Sequence, residues 1–136
     1  MVSNPIKLYE KHFVDKQDER LELFRALVDR FGIDSALYPG SFVHIAPSLF
    51  IPEVVDVDTD RRACSFFGRP EVIEYVRKRR RYEHEPEIRF HGIDYIKKID
   101  EPEGSFDLLI SQYAGFVSMH CGNYLRPGGI LLANNS

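Results

Sequence analysis

The sequence predicts a doubly wound α/β fold, in which a mainly parallel sheet carries helices on both faces. Short apolar segments typical of strands alternate along the chain with amphipathic segments typical of helices. The segments Glu53–Val57 (EVVDV) and Phe106–Ser111 (FDLLIS) are nearly continuous apolar runs, as in strands that are buried on both faces. In such sheets ligands bind beyond the carboxyl ends of the strands, where the strand order reverses.

Each element is predicted from its local pattern. Five strands are expected, at Ala36–Tyr38, Glu53–Val57, Glu87–His91, Phe106–Ser111 and Ile130–Ala133. A helix begins at Pro5 with an apolar stripe, and further helices are expected at Asp18–Phe31, Arg61–Phe67, Pro70–Tyr82 and Gly115–Leu125. Shorter helical turns are expected at Ser41–Ile45 and Pro47–Phe50, and a turn at Arg126–Gly129. Residues 1–136 then form one domain, with N-terminal helices in 1–34 and the α/β core in 35–136. The N-terminal helices either cover the sheet or close over a ligand site.

Composition excludes several classes of protein. The 136 residues are 43% hydrophobic and 29% charged, as in an ordinary globular domain. The 18 basic and 21 acidic residues leave a net charge of −3, so nucleic acid is not expected as a partner. No apolar run approaches the roughly 20 residues of a membrane-spanning helix, and the N-terminus lacks a signal-peptide core. Cys64 and Cys121 have no metal-ligand spacing. We therefore expect a cytoplasmic protein without a metal site.

Two further sequence patterns can each be interpreted either as structural or as functional. The basic run Arg77–Arg81 ends a predicted helix, where positive charge suits the helix dipole. In an acidic chain without interleaved aromatic residues, a solvated helix end is favoured over a nucleic-acid patch. The pair His120-Cys121 could indicate an activated thiol, but a buried cysteine is favoured, because neighbours in a helix do not face each other.

The turns after the first two strands carry the residues best suited to a ligand. Gly40 lacks a Cβ, so its backbone can approach a bound molecule closely, and the alternative is an ordinary turn glycine. Asp58 follows the second strand, and its carboxylate has two acceptor oxygens suited to a pair of hydroxyl groups. Asp58 could instead cap the next helix, although Asp60 is better placed for that. A nucleotide-type site is predicted here.

Five blocks carry a resemblance to a known family. They are LYPGS (37–41), VVDVDTD (54–60), RFHGIDYI (89–96), FDLLISQYAG (106–115) and YLRPGGILLANN (124–135). In this order they resemble the Rossmann-like core of the class I S-adenosylmethionine-dependent methyltransferases, from Ala36 to the end of the chain. The most specific block is the last, where Leu-x-Pro-Gly-Gly runs into an apolar strand. The resemblance implies the strand order 3-2-1-4-5 and S-adenosylmethionine as cofactor.

The resemblance also implies roles for individual residues. Gly40 matches the turn that meets the methionine part of the cofactor, Asp58 the acid that binds the ribose hydroxyls, and Asp94 the acid near the adenine amino group. Ser111, Gln112 and Tyr113 follow the fourth strand, where the family places residues around the transferred methyl. The complete expected cofactor site is Tyr38, Pro39, Gly40, Ser41, Asp58, Thr59, Asp94, Ser111 and Gln112. Asp94 as a turn residue, and Gln112 and Tyr113 as structural residues, are the alternatives.

The chain departs from the family at three places. The first motif, Tyr38-Pro39-Gly40-Ser41, keeps one glycine, and Phe42 and His44 stand where small residues are usual. The fourth block lacks the Asn/Asp-Pro-Pro-Tyr/Phe sequence of enzymes that methylate amino groups of bases or of glutamine. The chain stops just after the fifth strand, where the family adds two more. We therefore expect a piece of a longer chain, whose open fifth-strand edge favours a homodimer.

Three functions are compatible with these observations. The leading hypothesis is a methyltransferase that binds S-adenosylmethionine as a small-molecule cofactor and acts on an unknown acceptor. No residue stands out as its catalytic base. The alternative is a non-catalytic domain of the same fold that acts in binding or assembly. A dinucleotide-dependent oxidoreductase is disfavoured, because G-x-G-x-x-G is absent and two prolines, Pro47 and Pro52, interrupt the first crossover.

Overall fold

A five-stranded parallel sheet forms the centre of the computed structural model, which describes residues 4–14, 20–111 and 117–133. The strands are β1 (Ser35–Pro39), β2 (Glu53–Val57), β3 (Glu87–His91), β4 (Phe106–Ser111) and β5 (Leu125–Ala133). They lie in the order β3-β2-β1-β4-β5, and all four neighbouring pairs are parallel. The predicted fold class and strand order are confirmed.

The helices begin and end at residues suited to those positions. They are α1 (Pro5–Tyr9), α2 (Arg20–Phe31), α3 (Arg61–Phe67), α4 (Pro70–Arg79) and α5 (Val117–Cys121). A π-helical turn at Glu10–Val14 continues α1, and 3₁₀ turns lie at Ala46–Leu49 and Gly122–Tyr124. The Asn4 side chain caps α1 by accepting from the Ile6 N–H at 2.9 Å, and Asp60 caps α3 by accepting from the Arg62 N–H at 2.8 Å.

Helices pack on both faces of the sheet because the side chains of each strand alternate between the faces. On the first face, Phe24 of α2 packs against Tyr38, Val54 and other strand residues. The helices α1, α3 and α4 share a cluster that includes Tyr9 and also packs on β3. On the opposite face, Val117 of α5 joins a cluster with residues of β1, β2 and β4. This layering leaves the carboxyl ends of the strands to the loops.

The fifth strand begins earlier than the sequence predicts. β5 starts at Leu125, and the segment Arg126–Gly129, predicted as a turn, is an irregular part of the strand. Its pairing with β4 shifts register between Phe106 and Leu108. Arg126 holds this segment to β4 by donating from Nε to Asp107 Oδ1 at 2.6 Å. The pairing passes from Phe106–Leu125 to Leu108–Ile130, so Arg126–Gly129 bulges out of the ladder, and Gly128 has a positive φ of +79°.

Three helical predictions are also corrected. Residues 41–45 form a tight turn closed by the His44 N–H and the Ser41 carbonyl at 3.0 Å, and no helix forms there. The helix after Pro70 ends at Arg79, because Arg80 turns to an extended backbone with ψ 150°. The predicted helix Gly115–Leu125 is shorter, consisting of α5 and the following 3₁₀ turn, and its first two residues lie outside the described residues.

Two strands, β3 and β5, lie at the edges of the sheet among the described residues. Dimerisation through the β5 edge stays a prediction. Within the same residues, no helix is long and apolar enough to cross a membrane.

Candidate functional site

The ends of β1, β2 and β3 are joined at one edge of the sheet by backbone hydrogen bonds. The Gly40 N–H donates to the Val57 carbonyl at 2.7 Å, so the turn after β1 lies against the end of β2. The Asp58 N–H donates to the His91 carbonyl at 3.2 Å, which places Asp58 beside the end of β3. Gly40 has φ +70°, a left-handed conformation that glycine adopts without a Cβ clash. The predicted turn and the predicted acid are thus neighbours.

Both carboxylate oxygens of Asp58 bind backbone N–H groups of the surrounding loops. Oδ2 accepts from Phe42 N–H at 2.7 Å, and Oδ1 accepts from Asp60 N–H at 2.9 Å. The side chain is only partly buried. Because a carboxylate oxygen has two lone pairs, each oxygen keeps one acceptor position after these bonds. Asp58 therefore holds the turn after β1 in place and can still accept hydrogen bonds from a ligand. The capping of α3 falls to Asp60, as expected.

Phe42 has an uncommon backbone conformation within this turn. Its φ is +49°, and it is the one residue other than glycine with a positive φ among the described residues. Its ring meets the His12 ring edge-on, with centroids 5.1 Å apart, and the Arg62 guanidinium lies 4.7 Å from its centroid. A left-handed conformation costs an L-residue roughly 1–2 kcal/mol. The hydrogen bond to Asp58 and the two ring contacts offset that cost.

A buried hydrogen bond lies under the same turn. The hydroxyl of Tyr38, on β1, and Nδ1 of His44, after the turn, are 2.7 Å apart, and both residues are fully buried. His44 is one of the two residues that stand where the resembled family usually has a small residue. The buried side chains of Tyr38 and His44 therefore hold the two ends of the turn together through this hydrogen bond, which glycine residues at these positions could not do.

Asp56 is a buried acid that the sequence interpretation did not assign to the site. It lies opposite Tyr38 in the β1–β2 register and is 1% exposed, and neither of its oxygens has a hydrogen-bond partner. Burial raises the pKa of this carboxyl well above its ordinary value, the nearby Ser41 hydroxyl lowers it less, and the charge of Asp58 raises it further. The Ser41 hydroxyl donates instead to the Phe42 carbonyl at 3.3 Å. Burial therefore favours the protonated form of Asp56. An acid inside an apolar strand was the available signal.

The remaining predicted site residues lie at the same edge or outside the described residues. Asp94 is exposed, and its Oδ1 accepts from the Ile96 N–H at 3.1 Å, so it has the turn role that was its alternative. Its contact with adenine stays a prediction. Thr59 is exposed, and Ser111 ends β4 as a buried residue. Gln112 and Tyr113 lie outside the described residues.

A charged cluster fastens the loop that carries Asp94. Glu101 accepts from Arg89 Nε at 3.1 Å and Nη2 at 2.9 Å, and from His91 Nε2 at 2.8 Å. Burial pushes the pKa of Glu101 up, but the hydrogen bonds from Arg89 and His91 outweigh burial and leave it below its ordinary value. Glu101 therefore ties the end of the loop to β3. Nothing in the sequence around Glu101 marks Arg89 and His91 as its partners.

Comparison with solved structures identifies the fold. A methyltransferase from Geobacter sulfurreducens superposes with a TM-score of 0.63 and 14% identity, over 100% of this chain and 75% of that one. The N-methyltransferase NodS from Bradyrhizobium japonicum, solved with S-adenosyl-L-homocysteine, superposes with a TM-score of 0.58 and 16% identity, over 85% and 59%. The chain has the class I methyltransferase fold. No protein-family model and no curated protein matches the sequence.

The methyltransferase fold does not by itself decide the reaction. The [4+2]-cyclase SpnF superposes with a TM-score of 0.57 and 14% identity, over 85% of this chain and 44% of that one. The chain thus spans 59% of NodS and 44% of SpnF, so these proteins contain parts with no counterpart here. Because one fold carries different reactions, function has to be argued from the residues of the site.

Proposed function

We propose that this chain binds S-adenosylmethionine at the carboxyl ends of β1, β2 and β3. The observation that carries the proposal is the Asp58 carboxylate, which lies partly exposed just beyond β2 and is joined to the turn after β1 at 2.7 Å. The two acceptor positions that remain on its oxygens suit the two ribose hydroxyls. The methyltransferase fold of the chain supports this assignment.

In this proposal, the other expected residues contact the cofactor on either side of its ribose. Gly40 lets the backbone approach the methionine part, and Asp94 lies beside the adenine. The remaining expected contacts come from Tyr38, Pro39, Ser41, Thr59, Ser111 and Gln112. Tyr38 and Ser41 are fully buried, so their contribution is to support the turn, with only backbone atoms available to the ligand.

Methyl transfer to an acceptor is the reaction that we propose for the bound cofactor. Bound S-adenosylmethionine would supply an electrophilic methyl group, which would pass from the sulfonium sulfur to a lone pair of the acceptor as the C–S bond breaks and S-adenosylhomocysteine leaves. The protein then contributes mainly by aligning the acceptor, which lowers the barrier by several kcal/mol. The two described cysteines are free, which supports the further proposal of a reducing, cytoplasmic location.

A second candidate is a non-catalytic domain of the same fold that acts in binding or assembly and does not bind the cofactor, and the turn after β1 favours it. Phe42 places an aromatic ring where the resembled family has a small residue, with Arg62 stacked over it. If the Phe42 ring occupies space that the cofactor needs, the Phe42→Gly variant should bind S-adenosylmethionine and the parent should not. The matched control is Phe67→Gly, which removes a ring that stacks on Phe90 with centroids 4.9 Å apart.

Thermal unfolding with S-adenosylmethionine, S-adenosylhomocysteine and NAD tests the proposal on the parent chain. A ligand at 100 times its dissociation constant stabilises the fold by about 2.7 kcal/mol. For a domain of this size, that raises Tm by about 10 °C. We expect such a shift with the two adenosyl ligands and none with NAD. No shift with either adenosyl ligand refutes cofactor binding by the parent, and a shift with NAD alone points to the oxidoreductase alternative.

A further inference from the structure

A cleft of about 620 Å³ lies between the N-terminal segment and α3, and the proposed cofactor contacts do not use it. Its size is that of a small-molecule site. The lining combines an apolar base with many hydrogen-bond donors and is contributed by Asn4, Pro5, Lys7, Leu8, Lys11, Arg61, Arg62, Ser65, Phe66 and Arg69.

The charge in this cleft has one sign. Five of its lining residues are lysine or arginine, and none is an acid, although the whole chain has a net charge of −3. Two of these cations already have partners outside the lining: Arg62 binds Asp60 at 3.1 Å, and Arg69 binds Glu71 at 2.6 Å. The other three, Lys7, Lys11 and Arg61, form no ion pair with any part of the chain that the structure describes.

The surroundings of Lys7, Lys11 and Arg61 do not stabilise their positive charges. Lys7 of α1 and Lys11 of the π-helical turn that continues it line the same cleft, so their like charges repel each other. Arg61 is the first residue of α3, where the helix dipole disfavours a positive charge. A bound anion would remove both penalties at once.

We propose that this cleft binds a compact ligand that carries two or more phosphate groups. Three uncompensated cations in a space of this size match several negative charges better than one. Lysine and arginine are the usual phosphate-binding side chains, and the Ser65 hydroxyl and Asn4 amide add uncharged donors. A nucleic-acid strand fits less well, because the aromatic residue in the lining, Phe66, is 2% exposed and offers no stacking surface. The proposal does not depend on cofactor binding.

Titration calorimetry with inorganic phosphate, pyrophosphate and tripolyphosphate tests this site on the full chain. We expect the affinity to rise along that series and to fall as salt is raised from about 50 mM to about 200 mM, since exposed charges are screened. The Lys7→Gln/Lys11→Gln variant should bind tripolyphosphate at least about tenfold more weakly. The control Lys97→Gln/Lys98→Gln removes the same charge from two other exposed lysines and should bind as the parent does.

Arg61→Gln provides a second variant on the opposite wall, and it should also weaken tripolyphosphate binding about tenfold. Circular dichroism of each variant establishes that it is folded, as expected for substitutions of exposed side chains. The proposal is overturned if tripolyphosphate does not bind the parent, or if the control loses as much affinity as the Lys7/Lys11 variant. Binding of a single-stranded oligonucleotide or of anionic lipid vesicles, without binding of tripolyphosphate, also overturns it.

Discussion

Replacing Phe42 by glycine and, separately, by alanine tests the turn on which the site depends. Both substitutions remove the ring and its contacts with His12 and Arg62. The two variants then differ only by a Cβ at a backbone position with φ +49°. The difference between their free energies of unfolding therefore measures the left-handed conformation itself, separately from the ring.

The expected difference follows from two opposing effects. A left-handed φ costs an L-residue about 1–2 kcal/mol and costs glycine almost nothing. Glycine loses about 0.5–1 kcal/mol more than alanine through the entropy of the unfolded chain. Phe42→Gly should therefore be more stable than Phe42→Ala by about 0.5–1 kcal/mol. Urea unfolding measures this difference from the two midpoints, provided that both variants have the same m-value.

The same pair of substitutions at Glu74 is the control. Glu74 is exposed in the middle of α4, where the backbone is right-handed. There the glycine variant should be less stable than the alanine variant by about 1 kcal/mol. Opposite signs at Phe42 and Glu74 support the left-handed turn. If glycine is the less stable variant at both positions, the turn after β1 is not as described.

Three further substitutions test the buried polar groups. The raised pKa of Asp56 means that this residue contributes a loss of stability of up to about 1.4 kcal/mol per pH unit as pH rises above the unfolded carboxyl pKa of about 3.9, up to the folded pKa. Asp56→Asn should remove that slope in urea titrations from pH 4 to 8, and an unchanged slope would contradict the assignment. Tyr38→Phe should cost about 1–3 kcal/mol, because buried His44 loses a hydrogen bond, and a neutral effect would speak against the pair. Glu101→Gln should cost a similar amount at neutral pH and increase amide exchange around Asp94, whereas unchanged exchange would remove its anchoring role.

The strands were predicted correctly where the residues of the segment itself determine the structure. The apolar runs that became β2 and β4 needed no partner to be recognised, because burial on both faces requires such residues throughout. Asp60 as the cap of α3 was likewise readable from its position. The start of β5 could not be predicted, because Leu125 pairs with Phe106 across a register shift, and that pairing joins residues distant in sequence.

The sequence predicted where the site residues lie relative to the strands, but it did not predict the contacts that their side chains make. That Asp58 follows β2 was evident from the order of residues, but its bond to the Phe42 N–H joins positions 16 residues apart. The left-handed φ of Phe42 had no local signal, since phenylalanine rarely adopts it. The Tyr38–His44 pair needed the turn geometry before it could be seen. Sequence patterns indicate which residues lie at the sheet edge, and folding decides which of their atoms remain available.

The proposal that Asp58 binds the ribose of S-adenosylmethionine is tested most directly by calorimetric titration of the cofactor into three proteins. They are the parent, Asp58→Asn, and the control Asp100→Asn, in which the same change is made at an exposed position. Asparagine replaces one acceptor oxygen by a donor, so Asp58→Asn should bind at least about tenfold more weakly. The control should bind as the parent does. Equal affinity of the parent and Asp58→Asn, or no binding by the parent, would contradict the central claim.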